Sequence, residues 1–195
     1  MAVPTNPFDL FATIYAEAMT LDLAEPNAVC LATADAEGRP SARMVLLKGA
    51  DSRGFVFYTN LRSRKAHELT ANPHAALCFF WPQLGRQIRI EGAVEPVSDT
   101  EADAYFASRA RASQIGAWAS LQSRELASRD ELVARVAEME RRYDGHDVPR
   151  PAHWSGYRLL PRRIEFWTSG EHRLHDRQVF ETSDGDTWRE YRLYP

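Results

Sequence analysis

The sequence predicts a mainly β, α+β fold: an antiparallel barrel with helices inserted between its strands. Two observations carry this. About seven short strand-like runs follow one another, bounded by stretches rich in Gly, Pro, Asn, Asp and Ser. Helical periodicity is confined to the N-terminus, one short segment and the middle, so helices do not alternate with strands as a βαβ sheet requires. Neither GxGxxG nor GxxxxGK(S/T) occurs, which removes the usual nucleotide signatures of a doubly wound sheet.

Taken in order, "NPFDLFATIYAEAMTLD" places a Pro near a helix start and then Leu10, Phe11, Ile14, Tyr15 and Ala18 at helical spacing. "AVCLATA", "SARMVLLKG" and "FVFYTN" are strands, joined by the turns "DAEGRP" and "ADSRG". "SRKAHELTAN" is a short helix capped by Ser63. "HAALCFFW" and "RQIRIEGAVEPV" are two further strands; in the second, Gln87, Arg89 and Glu91 alternate with Ile88 and Ile90, the pattern of one wet face. "SDTEADAYFASRARASQ" is a helix with a cap signal at Ser98 or Thr100 and Glu101. "SRDELVARVAEMERRYDG" is a second amphipathic helix that ends at Gly145. After the Pro-rich "HDVPRPAHWSG", the tail returns to strands at "YRLLPRRIEFW", "HRLHDRQVFET" and "TWREYRLYP". One domain is expected over 1–195, with an N-terminal helix within 1–24 and terminal strands over 152–195.

Bulk properties narrow the function classes. The net charge of −3 argues against a surface built for nucleic acid, so any anion site must be a local cluster of cations. No apolar run approaches the roughly 20 residues of a membrane-spanning helix, and the first residues lack a secretory pattern. Cys30 and Cys78 lie in apolar runs without metal spacing, which suggests two buried free thiols and a cytoplasmic protein. The six histidines show no HExxH or paired spacing, so no metal site is expected.

Five stretches could carry chemistry. In "RMVLLK", Arg43 and Lys48 flank an apolar strand, a pattern suited to a flat ligand bearing phosphate and equally to a barrel strand with solvated ends. Arg64 and Lys65 occupy a first helical turn, where cations oppose the helix dipole unless an anion docks beside them. Tyr105, Arg109 and Ser113 fall at i, i+4 and i+8, one stripe of a continuous helix and three donors for a phosphate. Arg173, His175 and Arg177 alternate after Phe166-Trp167; on an extended strand they share a face. The amides and hydroxyl at Gln114, Gln122 and Ser123 suit a ring that bears amides.

Together "RMVLLK", "FYTNLRSRKAHEL", "RQIRIEG", "YFASRARASQIGAWASLQS" and "IEFWTSGEHRLHDR" resemble, in order and spacing, the pyridoxamine (pyridoxine) 5′-phosphate oxidases. The resemblance runs from "NPFDLF" to "RLYP" and implies an FMN-binding split β-barrel, a homodimer with FMN at the subunit interface. It implies that Arg43, Met44, Val45, Leu46, Leu47, Lys48, Tyr58 and Thr59 line the flavin. Arg64 and Lys65 take its phosphate, and Gln87 addresses its ring. Gln122, Ser123, Trp167 and Arg177 reach it from the partner subunit. Lys48, Tyr105, Arg109 and Ser113 cradle the substrate phosphate, while Arg173 and His175 hold the substrate ring.

The implied reaction moves a hydride from the C4′ carbon of a B6 phosphate to the flavin. Oxygen then regenerates the flavin and yields hydrogen peroxide, and pyridoxal 5′-phosphate is the product. Three departures stand out. The longer N-terminal arm of many members is expected to be absent or much reduced, which alters substrate closure. Thr168-Ser169 replaces Gln-Gly, and Ala110 replaces a frequent Pro and should lengthen the helix that carries Arg109. A split-barrel flavin reductase or deazaflavin oxidoreductase has no reason to keep Tyr105, Arg109, Ser113, Arg173 and His175 together. A non-catalytic flavin or pyridoxal-phosphate carrier would use the same contacts.

Overall fold

The structure is a computed structural model and describes residues 6–195; the expectation of a shortened N-terminal arm falls outside them. Helix α1 (Pro7–Ala18) starts where Asn6 accepts a bond from the Phe8 N–H at 2.9 Å and Pro7 presets the helical φ. Its apolar stripe buries Phe11, Ile14 and Ala18, and Phe11 meets Phe55 edge to face at 4.8 Å.

The strands are β1 (Ala28–Ala34), β2 (Pro40–Leu46), β3 (Gly49–Asp51), β4 (Gly54–Asn60), β5 (His74–Trp81), β6 (Arg86–Pro96), β7 (Trp154–Thr168), β8 (Asp176–Glu181) and β9 (Arg189–Arg192). They form one antiparallel sheet in the order β2-β1-β5-β6-β7-β4-β3, with β8 and β9 built out from β7. The 15-residue β7 organises the molecule. Its first half pairs with β4 and its second with β8, while β6 pairs with it from Tyr157 to Thr168. The β6–β7 register shifts between Glu91 and Gly92, so Arg162 is the extra residue of a bulge. A Cβ at Gly92 would lie 1.9 Å from the Leu160 carbonyl oxygen; only glycine allows that approach.

Period-two alternation sorts the sheet's faces. Leu31, Leu77, Phe79, Ile88, Ile90, Ile164 and Phe166 point into the main core with α1. The outer face carries Met44 and Phe80, 62% and 58% exposed, so nothing among the described residues covers these two side chains. Cys30 and Cys78 face each other across β1 and β5 there; both are free and half-buried. They are therefore less buried than their apolar runs suggested, because the sheet has only one inner face.

Four more α-helices lie among the described residues: α2 (Arg64–Ala71), α3 (Asp99–Ser108), α4 (Arg111–Ala119) and α5 (Arg129–Arg142). A second core of Phe106, Ile115, Tyr143, Val148 and Trp154 joins α3, α4 and α5 to the start of β7. Ser98 and Glu101 form the expected capping box on α3. Ser63 has N-cap geometry but makes no side-chain capping bond. Helix α5 stops at Arg142, before Gly145, which adopts φ +69 in the following turn.

Three sequence expectations are corrected here. "ADSRG" is more than a turn: β3 pairs with Gly54–Val56 across Ser52-Arg53. The helix expected through Arg109 breaks, because Arg109 is extended at φ −73, ψ 148, and α4 begins anew at Arg111. Ala110 therefore does not lengthen it; the break lets Phe106 and Ile115 both reach the second core. Arg173 and His175 are not on a strand, since Glu171–Arg173 is a tight 3-10 turn and β8 starts only at Asp176. His172 and Arg173 take left-handed φ values of 52° and 66°, which a strand does not allow.

Candidate active site

A cavity of about 620 Å³ opens where the ends of β2 and β4 meet the α3–α4 break and the start of β7. Its walls include Met44, Val45, Leu46, Lys48, Tyr58, Thr59, Lys65, Tyr105, Arg109, Ser113, Gln122 and Trp154. Tyr58 stacks against both Tyr105 and Trp154, with centroids 4.1 and 5.3 Å away. Burial raises the pKa of its phenol. Arg109 lies over Trp154 at 4.7 Å and over Phe106 at 5.5 Å. Its Nη1 is buried with no hydrogen-bond partner among the described residues, and burial lowers the guanidinium pKa. An orphaned donor on a desolvated cation costs stability unless an anion meets it. The broken helix thus brings Tyr105, Arg109 and Ser113 to one cavity by a route other than a helical stripe.

Lys65 lines the same cavity. It is buried, and its Nζ donates to Thr59 Oγ1 at 3.1 Å and to Ser63 Oγ and Gln122 Oε1 at 3.4 Å, all neutral oxygens. Burial first, then the charge of Arg43, lowers its pKa, against a smaller opposing pull from Glu68. Ser123, at φ +70, accepts from the Arg64 N–H at 3.2 Å. Gln122 and Ser123 therefore stand beside Lys65 and Arg64 of their own chain. The expectation that they reach across from a partner is corrected: the segment after α4 folds back onto the start of α2. Gln114 is corrected too; its amide donates to the Phe106 carbonyl at 3.0 Å and closes the end of α3.

Glu68 explains the charges around α2. It is 5% exposed and accepts from Thr33 and Ser41, from Arg64 at 2.8 Å and from Arg43 at 3.1 Å. Arg43 consequently points at Glu68 and lies outside the cavity lining, as does the exposed Arg64. Leu47 faces the core at 3% exposure. Burial pushes the Glu68 pKa up, but bonds from Thr33, Ser41, Arg64 and Arg43 outweigh it and bring it from 4.5 to about 2. A depressed carboxylate stabilises the fold fully above its unfolded pKa and loses that contribution as pH falls toward the folded one. Glu68→Gln should lower the thermal midpoint by roughly 2–8 °C at pH 7. The gap to the wild type should narrow below about pH 4.5. A gap independent of pH between 7 and 3 would show that the charge of Glu68 is immaterial.

The remaining predicted residues gather at the other end of β7. Gln87 pairs with Trp167, and Trp167 with Arg177 on β8. The His175 ring lies 4.5 Å from Trp167, and the Gly170 N–H donates to His175 Nδ1 at 3.2 Å. Arg177 donates to Glu165 Oε1 at 2.8 Å and to the Tyr194 carbonyl at 3.0 Å. Burial raises the Glu165 pKa, but Arg177, Arg89 and Arg163 more than offset this, and the net shift is downward. Arg173 is exposed on its turn. Trp154 at one end of β7 and Trp167 at the other are separated by roughly 40 Å of extended chain. The phosphate-suited cavity and the Trp167–Arg173–His175–Arg177 group of one chain thus cannot enclose the same small molecule.

Sequence reasoning missed Trp154, Glu68 and Glu165. Glu68 was available as an i,i+4 partner of Arg64, and Glu165 as the residue alternating between Arg163 and Trp167. Trp154, in a Pro-rich stretch, carried no local signal.

Comparison with known proteins identifies the chain's relatives. The family description "Pyridoxamine 5'-phosphate oxidase" matches residues 16–143, and "Pyridoxine 5'-phosphate oxidase C-terminal dimerisation region" matches 154–195. The pyridoxine/pyridoxamine 5'-phosphate oxidase of Myxococcus xanthus is 58% identical over 193 residues, covering 99% of this chain and 93% of the relative. That of Rhodospirillum rubrum is 59% identical, covering 97% and 96%. Among solved structures, PhzG from Burkholderia lata 383, in complex with tetrahydrophenazine-1-carboxylic acid, superposes with a TM-score of 0.92 at 37% identity, covering 98% of this chain and 94% of that one. By its full-length relatives and by both of its matched regions, the chain belongs to the pyridoxine/pyridoxamine 5′-phosphate oxidase family and is an oxidoreductase.

Proposed function

We propose that the protein oxidises pyridoxamine 5′-phosphate, pyridoxine 5′-phosphate or both to pyridoxal 5′-phosphate, with FMN as bound hydride acceptor and O2 as final oxidant. Hydrogen peroxide is the by-product, with ammonia from the amine. The active form is a homodimer in which each site uses both copies. The observation that carries this reading is the separation of two half-sites along β7. The cavity of one copy offers phosphate donors, and the far end of β7 in a second copy offers the aromatic and cationic groups for a stacked ring. The uncovered outer face with Met44 and Phe80, and the match of 154–195 to a dimerisation region, support the pairing.

The residues present fit FMN and a phosphorylated substrate. Lys65 is a buried cation bonded only to neutral oxygens, and Arg109 has an unpaired buried Nη1, so the cavity walls bring two cations in need of anions. Lys65, with Thr59, Gln122 and the neighbouring Arg64, would hold the phosphate of FMN. Met44, Val45, Leu46, Lys48 and Tyr58 would flank the flavin, with Gln87, Trp167, Arg177 and its anchor Glu165 supplied by the second copy. FMN, when bound, supplies the two-electron acceptor.

The chain's own part is positioning. Lys48, Tyr105, Arg109 and Ser113 would grip the substrate phosphate, which fixes the distance of the reacting carbon from the cofactor. The Tyr58–Tyr105–Trp154 stack keeps that wall rigid and dry. Arg173 and His175 of the second copy would press the pyridine flat and bond its phenolic oxygen.

The purified protein should be yellow, should release FMN on denaturation, and should form peroxide with pyridoxamine 5′-phosphate in a steady-state assay. Light scattering should report a dimer. Release of FAD, failure of FMN to restore a colourless sample, or a monomer with full FMN occupancy would contradict the reading. A flavin-loaded dimer that forms no peroxide with either B6 phosphate would point to a carrier or to a reductase acting on another substrate.

A further inference from the structure

The loop between β7 and β8 closes more tightly than its residue types require. Gly170 is extended, at φ −124 and ψ 155, which any residue adopts. Its lack of a side chain is therefore not explained by backbone angles. Space explains it: a Cβ there would fall 2.1 Å from the Leu174 carbonyl oxygen, 2.8 Å from its carbon and 3.4 Å from the His175 Cα. These are backbone atoms and cannot swing aside. The left-handed pair His172 and Arg173 folds the chain back until Leu174 reaches Gly170, and the Leu174 N–H closes the turn on the Glu171 carbonyl at 2.9 Å.

That closure sets up one polar contact with chemical consequences. The Gly170 N–H donates to His175 Nδ1 at 3.2 Å. An imidazole nitrogen that accepts a hydrogen bond carries no proton, so the neutral ring must carry its proton on Nε2. Nε2 makes no hydrogen bond among the described residues, and the ring plane is held by Trp167 at 4.5 Å. His175 therefore presents a fixed N–H donor, steered by a backbone amide and an indole.

We propose that Gly170 is a positioning residue for the reaction: its bare Cα lets the loop close, and its N–H locks His175 in the Nε2–H tautomer that donates to the phenolic oxygen of the substrate. The inference rests on the proposed function for the identity of that oxygen, but not for the tautomer. Alanine at 170 would force Leu174 away, withdraw the amide from Nδ1 and free the ring to take either tautomer. Arg173, carried on the same turn, would shift with it.

The test uses the FMN-loaded dimer with 15N-labelled histidine, His175 being assigned by the signal lost in His175→Asn. Long-range proton–nitrogen correlations should show neutral His175 as the Nε2–H tautomer. In Gly170→Ala that signature should give way to a mixture. kcat with pyridoxamine 5′-phosphate should fall by about 10- to 100-fold, as for a misplacement of about 1 Å, while KM and FMN retention stay within roughly twofold. Nδ1–H His175 in the wild-type protein overturns the proposal even if the variant does not fold. A folded Gly170→Ala that keeps both tautomer and kcat overturns it too. If neither B6 phosphate is turned over, the functional reading fails, while the wild-type spectrum still decides the tautomer.

Discussion

Arg173→Lys should leave a yellow, dimeric, FMN-loaded protein whose flavin is reduced on the order of 100-fold more slowly in an anaerobic single turnover. The substitution isolates the head group. Both residues are unbranched at Cβ, so the left-handed backbone at φ 66 costs about the same, and the charge is kept. What is lost is the flat, forked guanidinium that can lie on a ring. Arg173 forms none of the ion pairs found among the described residues, so no internal scaffold breaks when its head group changes. The proposed phosphate grip, Lys48, Tyr105, Arg109 and Ser113, lines the cavity at the other end of β7 and stays intact. Substrate should bind but sit wrongly, so saturating it should not restore the rate. Flavin reduction at the wild-type rate would remove Arg173 from the substrate ring and reopen the carrier and reductase readings.

Arg109→Ala should lower kcat/KM for the phosphorylated substrate by about 10- to 100-fold while FMN binding changes little. One charge-assisted hydrogen bond to phosphate is worth roughly 1.5–3 kcal/mol, which corresponds to that loss. Stability should respond differently. Arg109 holds a desolvated cation with an orphaned Nη1 against Trp154, so its removal relieves a penalty and forfeits a cation–π contact of about 1 kcal/mol. The two nearly offset, and the midpoint without substrate should move by no more than about 3 °C. Unchanged kinetics would show that the Tyr105, Arg109 and Ser113 group plays no part in substrate binding. A large fall in stability with unchanged FMN binding would make Arg109 a structural residue of the second core.

Alternation and turn chemistry are local properties, and they were legible wherever one face of a strand is buried. "HAALCFFW" and "RQIRIEGAVEP" match β5 and β6, and Ile88 and Ile90 point inward as their spacing required. The capping box at Ser98 and Glu101 and the amphipathic α5 were equally plain. The types of the candidate site residues were legible too, because cations in a first helical turn or beside an aromatic pair conflict with local preference.

Tertiary structure alone decided how those residues are deployed. Periodicity ran Tyr105, Arg109 and Ser113 along one helix; packing of Phe106 and Ile115 into the second core broke it at Arg109 and still delivered all three to one cavity. Spacing put Arg173, His175 and Arg177 on one strand face. The close approach of Gly170 to Leu174 turned the first two onto a loop and left only Arg177 in the ladder. Gln122 and Ser123 lie far from Lys65 and Arg64 in sequence, and only the fold set them side by side. The distance between the two half-sites depends on the length of β7 and on its pairing with β4 at one end and β8 at the other. The sequence determined which side chains are present and which strands and helices carry them, because those follow from neighbours a few residues apart. Which of them share a site depends on contacts between residues distant in the chain, and no local pattern encodes those.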